Sequence, residues 1–352
     1  MRKCFRGCFL RPIPDPNQPC PDMNESGHWL IAGQGLAGTC LALEFLDRKI
    51  PFQIIDSGRG GSSRVAAGLI NPITGKNFEP SWLIQDFHPT AVAFFEHMGK
   101  TFGERIWHPL PVMRLASSEK EWAKISNKFD LPQTRRWLHE SQAATPDGFC
   151  GSVTLEGGGW VDTARFLSLT RDYFERLGII ETRQLDTTTA HPQRILCQGA
   201  QGLIQDQLGK HRCAKGEILT LEAEWQETHI RIGAGGWLIP IGQGRFRVGS
   251  TYEWKDLDEI PTDHGITRIS EITAKLGGPS FKIIDHVAGV RPILRRSQPL
   301  IGKNTAGDWI FNALGSKGTL YAPKMATMLT DWISNGKEPD SDFILETSEL
   351  NS

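Results

Sequence analysis

A glycine-rich turn near the N-terminus constrains the fold of this chain more than any other feature. The turn is Gly33–Gly38, with the sequence GQGLAG. An apolar run, 28–32, precedes it, and a Leu- and Ala-rich run with the pattern of a helix, 36–48, follows it. A second apolar run, 52–55, ends at Asp56, where a carboxylate can accept hydrogen bonds from a ribose. Strand, glycine turn, helix, strand and acid in this order predict a β-α-β unit that binds a dinucleotide.

Each glycine of the turn has a physical task in such a unit. Gly33 permits the tight turn, Gly35 lets the backbone approach a pyrophosphate, and Gly38 lets the helix pack against the strand. The N–H groups of the first helical residues, Leu36 and Ala37, then face the phosphates together with the positive end of the helix dipole.

Composition sets broad limits on the class of protein. The chain has 352 residues, enough for two domains, and its 39% hydrophobic and 22% charged content is that of an ordinary globular protein. The formal net charge is −1, so no global basic field attracts nucleic acid or an anionic membrane. No apolar run is long enough to span a bilayer. Seven cysteines, an odd number, suit a reducing compartment and predict a cytoplasmic protein.

The segment 1–22 differs from the rest of the chain. It carries three cysteines, Cys4, Cys8 and Cys20, and five prolines, but no apolar core of a signal peptide. We expect either a disordered extension or an upstream start assigned by error before Met23. A metal site would need a fourth ligand near the three cysteines, so no metal is predicted.

Further elements follow from periodicity and capping. Asp162 is the expected N-cap of an amphipathic helix that Gly178 ends. Other helices are predicted over 89–102, 119–129, 266–276 and 323–333. Strands are predicted over 112–115, 194–197, 218–221, 236–240, 246–249 and 309–313.

Four segments together resemble the flavin-dependent amino-acid oxidase and dehydrogenase superfamily, which includes glycine oxidase, D-amino-acid oxidase and sarcosine oxidase. They are GQGLAG with Asp56, SSRVAAGLINP (62–72), AGVRPILRRSQPLIG (288–302) and ALGSKGTLYAPKMA (313–326). The resemblance extends from about residue 28 to residue 333, in the order of the family.

The resemblance implies an α/β fold in two parts. A Rossmann-type FAD-binding domain is assembled from the split segments 28–85, 150–215 and 286–340. An α+β substrate domain with a mostly antiparallel sheet comes from 86–149 and 216–285. No run of β-α-β units continues after Asp56, as it would in a typical NAD-dependent dehydrogenase.

The same resemblance implies non-covalent FAD and the residues around it. Ser63 and Arg64 can offer hydrogen-bond donors to the phosphates, and the small residues at 67–69 suit a backbone that passes close to a flat ring. The loop 315–318 can turn N–H groups toward the flavin pyrimidine. Beyond the glycine turn and Asp56, the predicted FAD contacts are Ser63, Arg64, Ala67, Gly68, Leu69, Gly199, Gly315, Ser316, Lys317, Gly318 and Thr319.

The loop 315–318 departs from glycine oxidase, which has a longer loop at this point. The compact form is similar to the flavin domain of tRNA wobble-uridine-modifying enzymes, which remove a carboxymethyl group from an amine. This departure leaves the substrate open while the cofactor stays the same.

Arg291 is the predicted substrate residue, because the family places an arginine here that holds the substrate carboxylate. A guanidinium matches two carboxylate oxygens with two parallel N–H groups. Arg295 and Arg296 follow closely, and periodicity does not tell which of the three turns inward. Tyr252 either reaches the same pocket or packs as an ordinary tyrosine, while Trp254 is expected in the core.

These residues predict an FAD-dependent oxidoreductase that oxidises the C–N bond of a small amino acid or N-substituted glycine. The product is an imine that hydrolyses to an oxo acid, and O₂ or an electron-transfer acceptor reoxidises the flavin. A tRNA wobble-uridine-modifying enzyme is one alternative, although the near-neutral charge makes tRNA the less favoured partner. An NAD-dependent dehydrogenase and a non-catalytic flavin-binding protein are the others. The sequence specifies no oligomeric state.

Overall fold

The computed structural model describes residues 28–186, 191–205, 211–294 and 298–344. The predicted extension 1–22 with its three cysteines lies outside the described residues, as do Arg295 and Arg296.

The described chain contains both helices and strands. The helices are α1 Leu36–Asp47, α2 Ser62–Val65, α3 Ile84–Phe102, α4 Glu119–Ser126, α5 Pro132–Arg135, α6 Thr163–Arg176, α7 Gly199–Gln205, α8 Asp263–Lys275 and α9 Gly318–Asn335. The strands are β1 Trp29–Ala32, β2 Phe52–Asp56, β3 Leu69–Ile70, β4 Ile73–Thr74, β5 Glu79–Pro80, β6 Trp107–Pro109, β7 Val112–Ala116, β8 Gly151–Leu155, β9 Gly159–Val161, β10 Ile180–Thr182, β11 Arg194–Leu196, β12 Ala214–Glu222, β13 Ile230–Gly233, β14 Gly236–Gly242, β15 Arg245–Gly249, β16 Lys282–Arg291, β17 Leu300–Lys303 and β18 Trp309–Asn312.

The first sheet has the strand order β10-β2-β1-β11-β18-β17 and is parallel except at β17, which pairs antiparallel with β18. Strand β1 pairs parallel with β2, and helix α1 connects them along the chain, which confirms the predicted β-α-β unit. Because α1 is buried along almost its whole length, between the sheet and α9, its sequence is apolar on every face rather than on one stripe. Strands from the beginning, middle and end of the chain therefore share one sheet.

The second sheet has the order β16-β12-β15-β14-β13-β7-β8 and is antiparallel except between β13 and β7. Helix α8 packs against it through Ile269 and Ile272, which join a buried apolar cluster with Leu219 and Val248. The mixed α/β fold with a mostly antiparallel second sheet agrees with the expected fold class. Strands β8 and β16 extend this sheet, so the predicted domain boundaries at 150 and 286 fall at the ends of or within its strands, and the division into domains remains a prediction.

Two helices begin earlier than the sequence predicts. Proline is common at the first position of a helix, so the sequence predicts that these two helices start at Pro89 and Pro323. In the structure α3 begins at Ile84 and α9 at Gly318, so each proline is the sixth helical residue. A proline at the sixth position removes one intrahelical hydrogen bond, the one that its N–H would donate to the carbonyl of the second residue. A proline among the first four residues would remove none, because their N–H groups have no intrahelical acceptor.

The helix predicted over 119–129 ends at Ser126, before the predicted end. In contrast, Asp162 caps α6 as predicted, and its side chain accepts a hydrogen bond from the backbone N–H of Arg165. No helix in the described ranges is both long and apolar enough to cross a membrane.

Candidate active site

A cavity of about 680 Å³ is lined by residues of both large sheets. The ends of β1 and β2, the loop through α2, the start of α9 and the end of β16 all reach it. Predicted site residues from every part of the chain line this cavity: Gly33, Gly35, Leu36, Ala37, Asp56, Ser63, Arg64, Ala67, Gly68, Leu69, Gly199, Tyr252, Arg291, Gly315, Ser316, Lys317, Gly318 and Thr319. Of the predicted residues, Gly38 alone is not part of the lining, since it packs behind the turn.

The glycine turn is so tight that side chains cannot be added to it. Gly33 has a φ of +105°, and a Cβ there would lie 2.6 Å from the carbonyl oxygen of Cys197. A Cβ on Gly38 would lie 1.8 Å from the carbonyl oxygen of Gly33. Both glycines are therefore required by close backbone approach between β1, α1 and the end of β11.

The N-terminus of α1 opens into the cavity. Its N-cap, Gly35, has no side chain to accept the first N–H groups, and the N–H of Leu36 donates to Ser63 Oγ at 3.2 Å. Arg64 Nη2 donates to Gln34 Oε1 at 3.2 Å, so the α2 loop lies over the glycine turn. Unpaired N–H groups and the positive dipole end of a helix form a site for phosphate.

Asp56 is held in position at the end of β2. Its Oδ2 accepts the Gln34 N–H at 2.8 Å, and its Oδ1 accepts the Gly58 N–H at 2.9 Å. Arg171 Nη1 lies 3.4 Å from Oδ1. The carboxylate is fixed beside the turn, where it retains lone pairs for a ribose hydroxyl donor.

The small residues after α2 pass against the wall of the cavity. Gly68 has a φ of +67°, and a Cβ there would lie 1.9 Å from the carbonyl oxygen of Val161. The Gly68 carbonyl faces Thr319 Oγ1 at 3.5 Å, at the start of α9. The backbone at Gly68 thus joins the first and last segments of the site.

Arg247, which the sequence analysis missed, secures the same segment from the second sheet. Its Nη1 donates to the carbonyl of Ala66 at 2.7 Å and its Nη2 to that of Val65 at 2.6 Å. Burial lowers the pKa of Arg247 from its ordinary value. It lies on β15 within RVGSTYEW, but an arginine on a strand carries no signal that it binds a distant backbone.

The loop 315–318 connects β18 to α9 and lies against the residue that follows β16. The N–H of Gly315 donates to the carbonyl of Pro292 at 3.0 Å. Lys317 Nζ donates to Thr74 Oγ1 and Ser81 Oγ, each at 3.2 Å. Burial lowers the pKa of Lys317. The lysine therefore has neutral hydroxyl partners inside the cavity wall.

Arg291 is the last residue of β16, and its guanidinium lies in the cavity. It donates to Ser250 Oγ at 2.7 Å, to the Thr251 carbonyl at 3.2 Å and to the Ala214 carbonyl at 3.4 Å. Its central carbon lies 4.2 Å from the centre of the Tyr252 ring. Burial lowers the pKa of Arg291, and no carboxylate of the described residues lies within ion-pair distance.

Gly216, on the neighbouring strand β12, provides the space for this guanidinium. A Cβ on Gly216 would lie 1.8 Å from Arg291 Nη2. Neither Gly216 nor Ser250 was predicted as a site residue, because their contribution depends on strand register. Trp254, expected in the core, is 59% exposed, so that expectation is wrong.

The residues present fit FAD. A side-chain-free turn, a helix N-terminus and a fixed carboxylate suit its adenine dinucleotide half, and the backbone at 66–68 and 315–319 provides a wall of small residues beside Arg291. In the described ranges, no group of three His, Cys, Asp or Glu side chains could hold a metal ion.

Comparison with known proteins agrees with this reading. A family model described as FAD dependent oxidoreductase (DAO) matches residues 28–332. The glycine oxidase of Pseudomonas aeruginosa is 23% identical over 354 residues, covering 88% of this chain and 95% of the relative. The tRNA 5-methylaminomethyl-2-thiouridine biosynthesis bifunctional protein MnmC of Idiomarina loihiensis is 21% identical, covering 85% of this chain and 54% of the relative. The chain thus spans about half the length of the MnmC relatives it matches.

Solved structures show the same fold. The glycine oxidase of Geobacillus kaustophilus superposes with a TM-score of 0.77 at 17% identity, covering 91% of this chain and 99% of the other. The iminodiacetate oxidase of Chelativorans sp. BNC1 superposes with a TM-score of 0.73 at 17% identity, covering 91% of this chain and 100% of the other.

Proposed function

The chain belongs to the FAD-dependent oxidoreductase family, and from this premise we propose that it oxidises the C–N bond of a small amino acid or an N-substituted glycine. The family match sets aside the NAD-dependent alternative, since FAD is the cofactor of this family. Glycine oxidase and iminodiacetate oxidase, among the similar proteins, carry amino-acid substrates in their names.

One observation carries the proposal, namely that the cavity contains the guanidinium of Arg291 without a carboxylate partner among the residues that the structure describes. Its described partners are a hydroxyl, two carbonyls and an aromatic face, none of which neutralises its charge. A largely buried cation of this kind favours an anionic ligand, and a carboxylate accepts two parallel N–H bonds from it. The proposed role of Arg291 is therefore to bind the substrate carboxylate.

FAD held by the glycine turn, Asp56 and the segments 63–69 and 315–319 would supply the hydride acceptor for the carbon beside the substrate nitrogen. The substrate loses this hydride and a nitrogen-bound proton to become an imine, which water hydrolyses to an oxo acid and an amine or ammonia. The hydride transfer requires the neutral amine, so the substrate ammonium must first release a proton. No histidine of the described residues lines the cavity, and solvent is the proposed acceptor of that proton.

The protein's own residues position the substrate. Gly216 leaves room for the guanidinium, and Ser250 orients it through the bond to Nη2. Tyr252 lies beneath the cation and covers one side of the anion site. Because the amine is bonded to the carbon beside the carboxylate, contacts that fix the carboxylate also fix the position of the C–N bond in the cavity.

A second candidate is removal of a carboxymethyl group from a modified uridine of tRNA. The compact loop 315–318 favours it, and two relatives of this chain have names in tRNA thiouridine biosynthesis. The reaction is the same C–N oxidation, applied to an N-substituted glycine with a larger substituent.

The remaining partners are part of the same proposal. We propose non-covalent FAD, reoxidation by O₂ or an electron-transfer acceptor, and a cytoplasmic location. The free cysteines of the described chain, Cys40, Cys150, Cys197 and Cys213, agree with a reducing compartment.

An anaerobic screen tests the proposed function. The purified yellow protein is mixed with glycine, sarcosine, D-amino acids, proline and N-carboxymethylated amines, and the flavin absorbance near ~450 nm is followed. Bleaching by at least one of these compounds is the expected result. Bound flavin that none of them bleaches would indicate the non-catalytic flavin-binding alternative.

A further inference from the structure

A second cavity, of about 1020 Å³, adjoins the first at its substrate end. Four residues line both cavities: Ile232, Trp237, Ser250 and Tyr252. Two of these, Ser250 and Tyr252, are contacts of the Arg291 guanidinium. A substrate bound at Arg291 can therefore extend from the first cavity into the second.

The second cavity is basic although the whole chain is nearly neutral. Its lining contains five lysine and arginine residues and only two acidic ones, Glu121 and Asp147. Arg114 is paired with Glu121 at 3.1 Å, and Lys275 lies 3.9 Å from Glu271. The basic residues are Lys76, Arg114, Lys120, Lys124 and Lys275.

Three of these lysines have no carboxylate at ion-pair distance in the described part of the chain. They are Lys76 in the β4–β5 turn and Lys120 and Lys124 on α4. Unneutralised lysines around one cavity raise the local concentration of anions and lower the cost of bringing phosphate there. The charge of this cavity thus differs in sign from the net charge of the protein.

The junction between the cavities offers aromatic faces. Tyr252, which is 49% exposed, and Trp237 line both cavities, whereas Trp254, whose ring centre lies 5.9 Å from that of Tyr252, lines neither. Exposed aromatic faces of this kind bind planar rings by stacking, including nucleobases. From the first cavity into the second, the order is therefore the proposed carboxylate-binding arginine, then aromatic side chains, then lysines without an ion-pair partner among the described residues.

We propose that the second cavity is a binding subsite for a phosphate-bearing nucleotide substituent on the substrate nitrogen. The inference rests on the proposed function, because it concerns the same Arg291 site. The carboxymethyl amine lies at Arg291, the planar base at Tyr252 and Trp237, and the phosphates at Lys76, Lys120 and Lys124. The nucleotide is either a free phosphate ester or part of an RNA chain, and both present the same anion to the lysines.

The test compares probes that differ only in phosphate. The first pair is a uridine that carries a carboxymethylaminomethyl group and the 3′,5′-bisphosphate of that nucleoside. Both are offered anaerobically to the holoprotein, and the concentration for half-maximal rate of flavin bleaching is measured. An unreactive probe, uridine 3′,5′-bisphosphate, is titrated calorimetrically to obtain a dissociation constant without any reaction.

Charge reversal locates the phosphates. We expect Lys120→Glu/Lys124→Glu, and separately Lys76→Glu, to weaken binding of both bisphosphates about tenfold at physiological salt, with the nucleoside unaffected. The control is Lys100→Glu, an exposed lysine of α3 that lines neither cavity and is expected to change nothing. Because Lys76 and α4 are different elements, a local disturbance of α4 does not imitate the result.

The outcomes separate the two claims. Flavin that neither nucleoside nor bisphosphate bleaches, while the calorimetric affinity responds to charge reversal, contradicts the second candidate reaction, on a modified uridine, but supports the subsite. Equal affinity for nucleoside and bisphosphate, or equal losses in the Lys100→Glu control, overturns the subsite. An RNA hairpin that carries the same modified uridine distinguishes the sources, since tighter binding than the bisphosphate, with a steeper salt dependence, indicates RNA.

Discussion

At the scale of single residues, the site depends on glycines that leave space as well as on the side chains that occupy it. Gly216 and Arg291 lie on neighbouring strands of the second sheet, two residues apart in register, and the guanidinium occupies the volume that a methyl group at 216 would take. The pair explains why the last residue of an edge strand such as β16 can turn its charge inward.

The substitution Gly216→Ala tests this pairing. The new Cβ would lie 1.8 Å from Arg291 Nη2, so the guanidinium must move away from Ser250 and from the carboxylate position. A hydrogen bond to a charged group is worth about 1.5–3 kcal/mol, so we expect kcat/KM for the best substrate of the screen to fall by roughly 10- to 100-fold. Steady-state kinetics measure the loss, and an unchanged flavin content shows that the cofactor site is intact. A variant with parental kcat/KM would refute the pairing.

Lys317 gives a dependence of stability on pH. Burial lowers the pKa of its ammonium in the folded protein, so between the folded and unfolded pKa values the unfolded chain holds more protons. This contribution therefore raises the free energy of unfolding as pH increases through the lowered folded-state pKa toward the ordinary lysine pKa. We expect Lys317→Met to lack the rise. Urea unfolding of both proteins at several pH values gives the difference, and parallel curves for the two would contradict the assignment.

At the scale of elements, the site is a junction between two sheets that share one loop. The segment around α2 hydrogen-bonds α1 through Ser63 and β15 through Arg247, and it packs on β9 through Gly68. The cofactor wall is therefore fixed from three directions, and loss of one anchor should weaken cofactor binding before it unfolds the protein.

Arg247→Met removes the anchor on β15. The half-buried Val65 and Ala66 lose the charged donor to their carbonyls, which costs about 3 kcal/mol of stability and frees the loop. We expect the dissociation constant for FAD to rise about tenfold, because the loop must be ordered again on binding. Arg245→Met, at an exposed position of the same strand, is the matched control. Equal FAD affinity in the two variants would exclude an anchoring role.

Gly38→Ala tests the contact between α1 and the glycine turn. Alanine favours a helix over glycine by roughly 1 kcal/mol, so propensity alone predicts a more stable protein. The added Cβ would instead lie 1.8 Å from the Gly33 carbonyl oxygen and push the turn open. We expect the variant to be isolated without flavin. Gly60→Ala, whose Cβ meets only Glu259 Oε2 at 3.7 Å, serves as the control that keeps its flavin colour. A yellow Gly38→Ala protein would contradict the account of the turn.

At the scale of the whole molecule, features formed by residues close together in the chain were predictable from the sequence. Contacts between distant segments, which depend on strand pairing and register, were not. The β-α-β unit was predictable because Gly33, Gly35, Gly38 and Asp56 lie within one continuous stretch. The roles of Gly216 and Arg247 were not, since both act on residues far away in the chain across strand pairs and loops. The helix starts at Ile84 and Gly318 were missed because packing extends these helices before their prolines.

The whole molecule also explains how a nearly neutral chain has a basic groove. The unpaired lysines at 76, 120 and 124 come from two separate elements and meet only in the folded protein. The near-neutral net charge made tRNA the less favoured partner in the sequence analysis. Net charge does not, however, indicate the local charge of the surface beside the site.

The central claim is that Arg291 binds the substrate carboxylate and thereby positions the substrate beside the flavin in the same cavity. The most direct measurement is an anaerobic titration of the holoprotein with the best substrate of the screen and with the amide of that substrate, followed by flavin absorbance. The account predicts that the carboxylate bleaches the flavin at least ~10-fold more efficiently than the amide, and that Arg291→Ala abolishes this preference while it retains FAD. Equal bleaching by acid and amide in the parent protein, or an undiminished preference in Arg291→Ala, would contradict it.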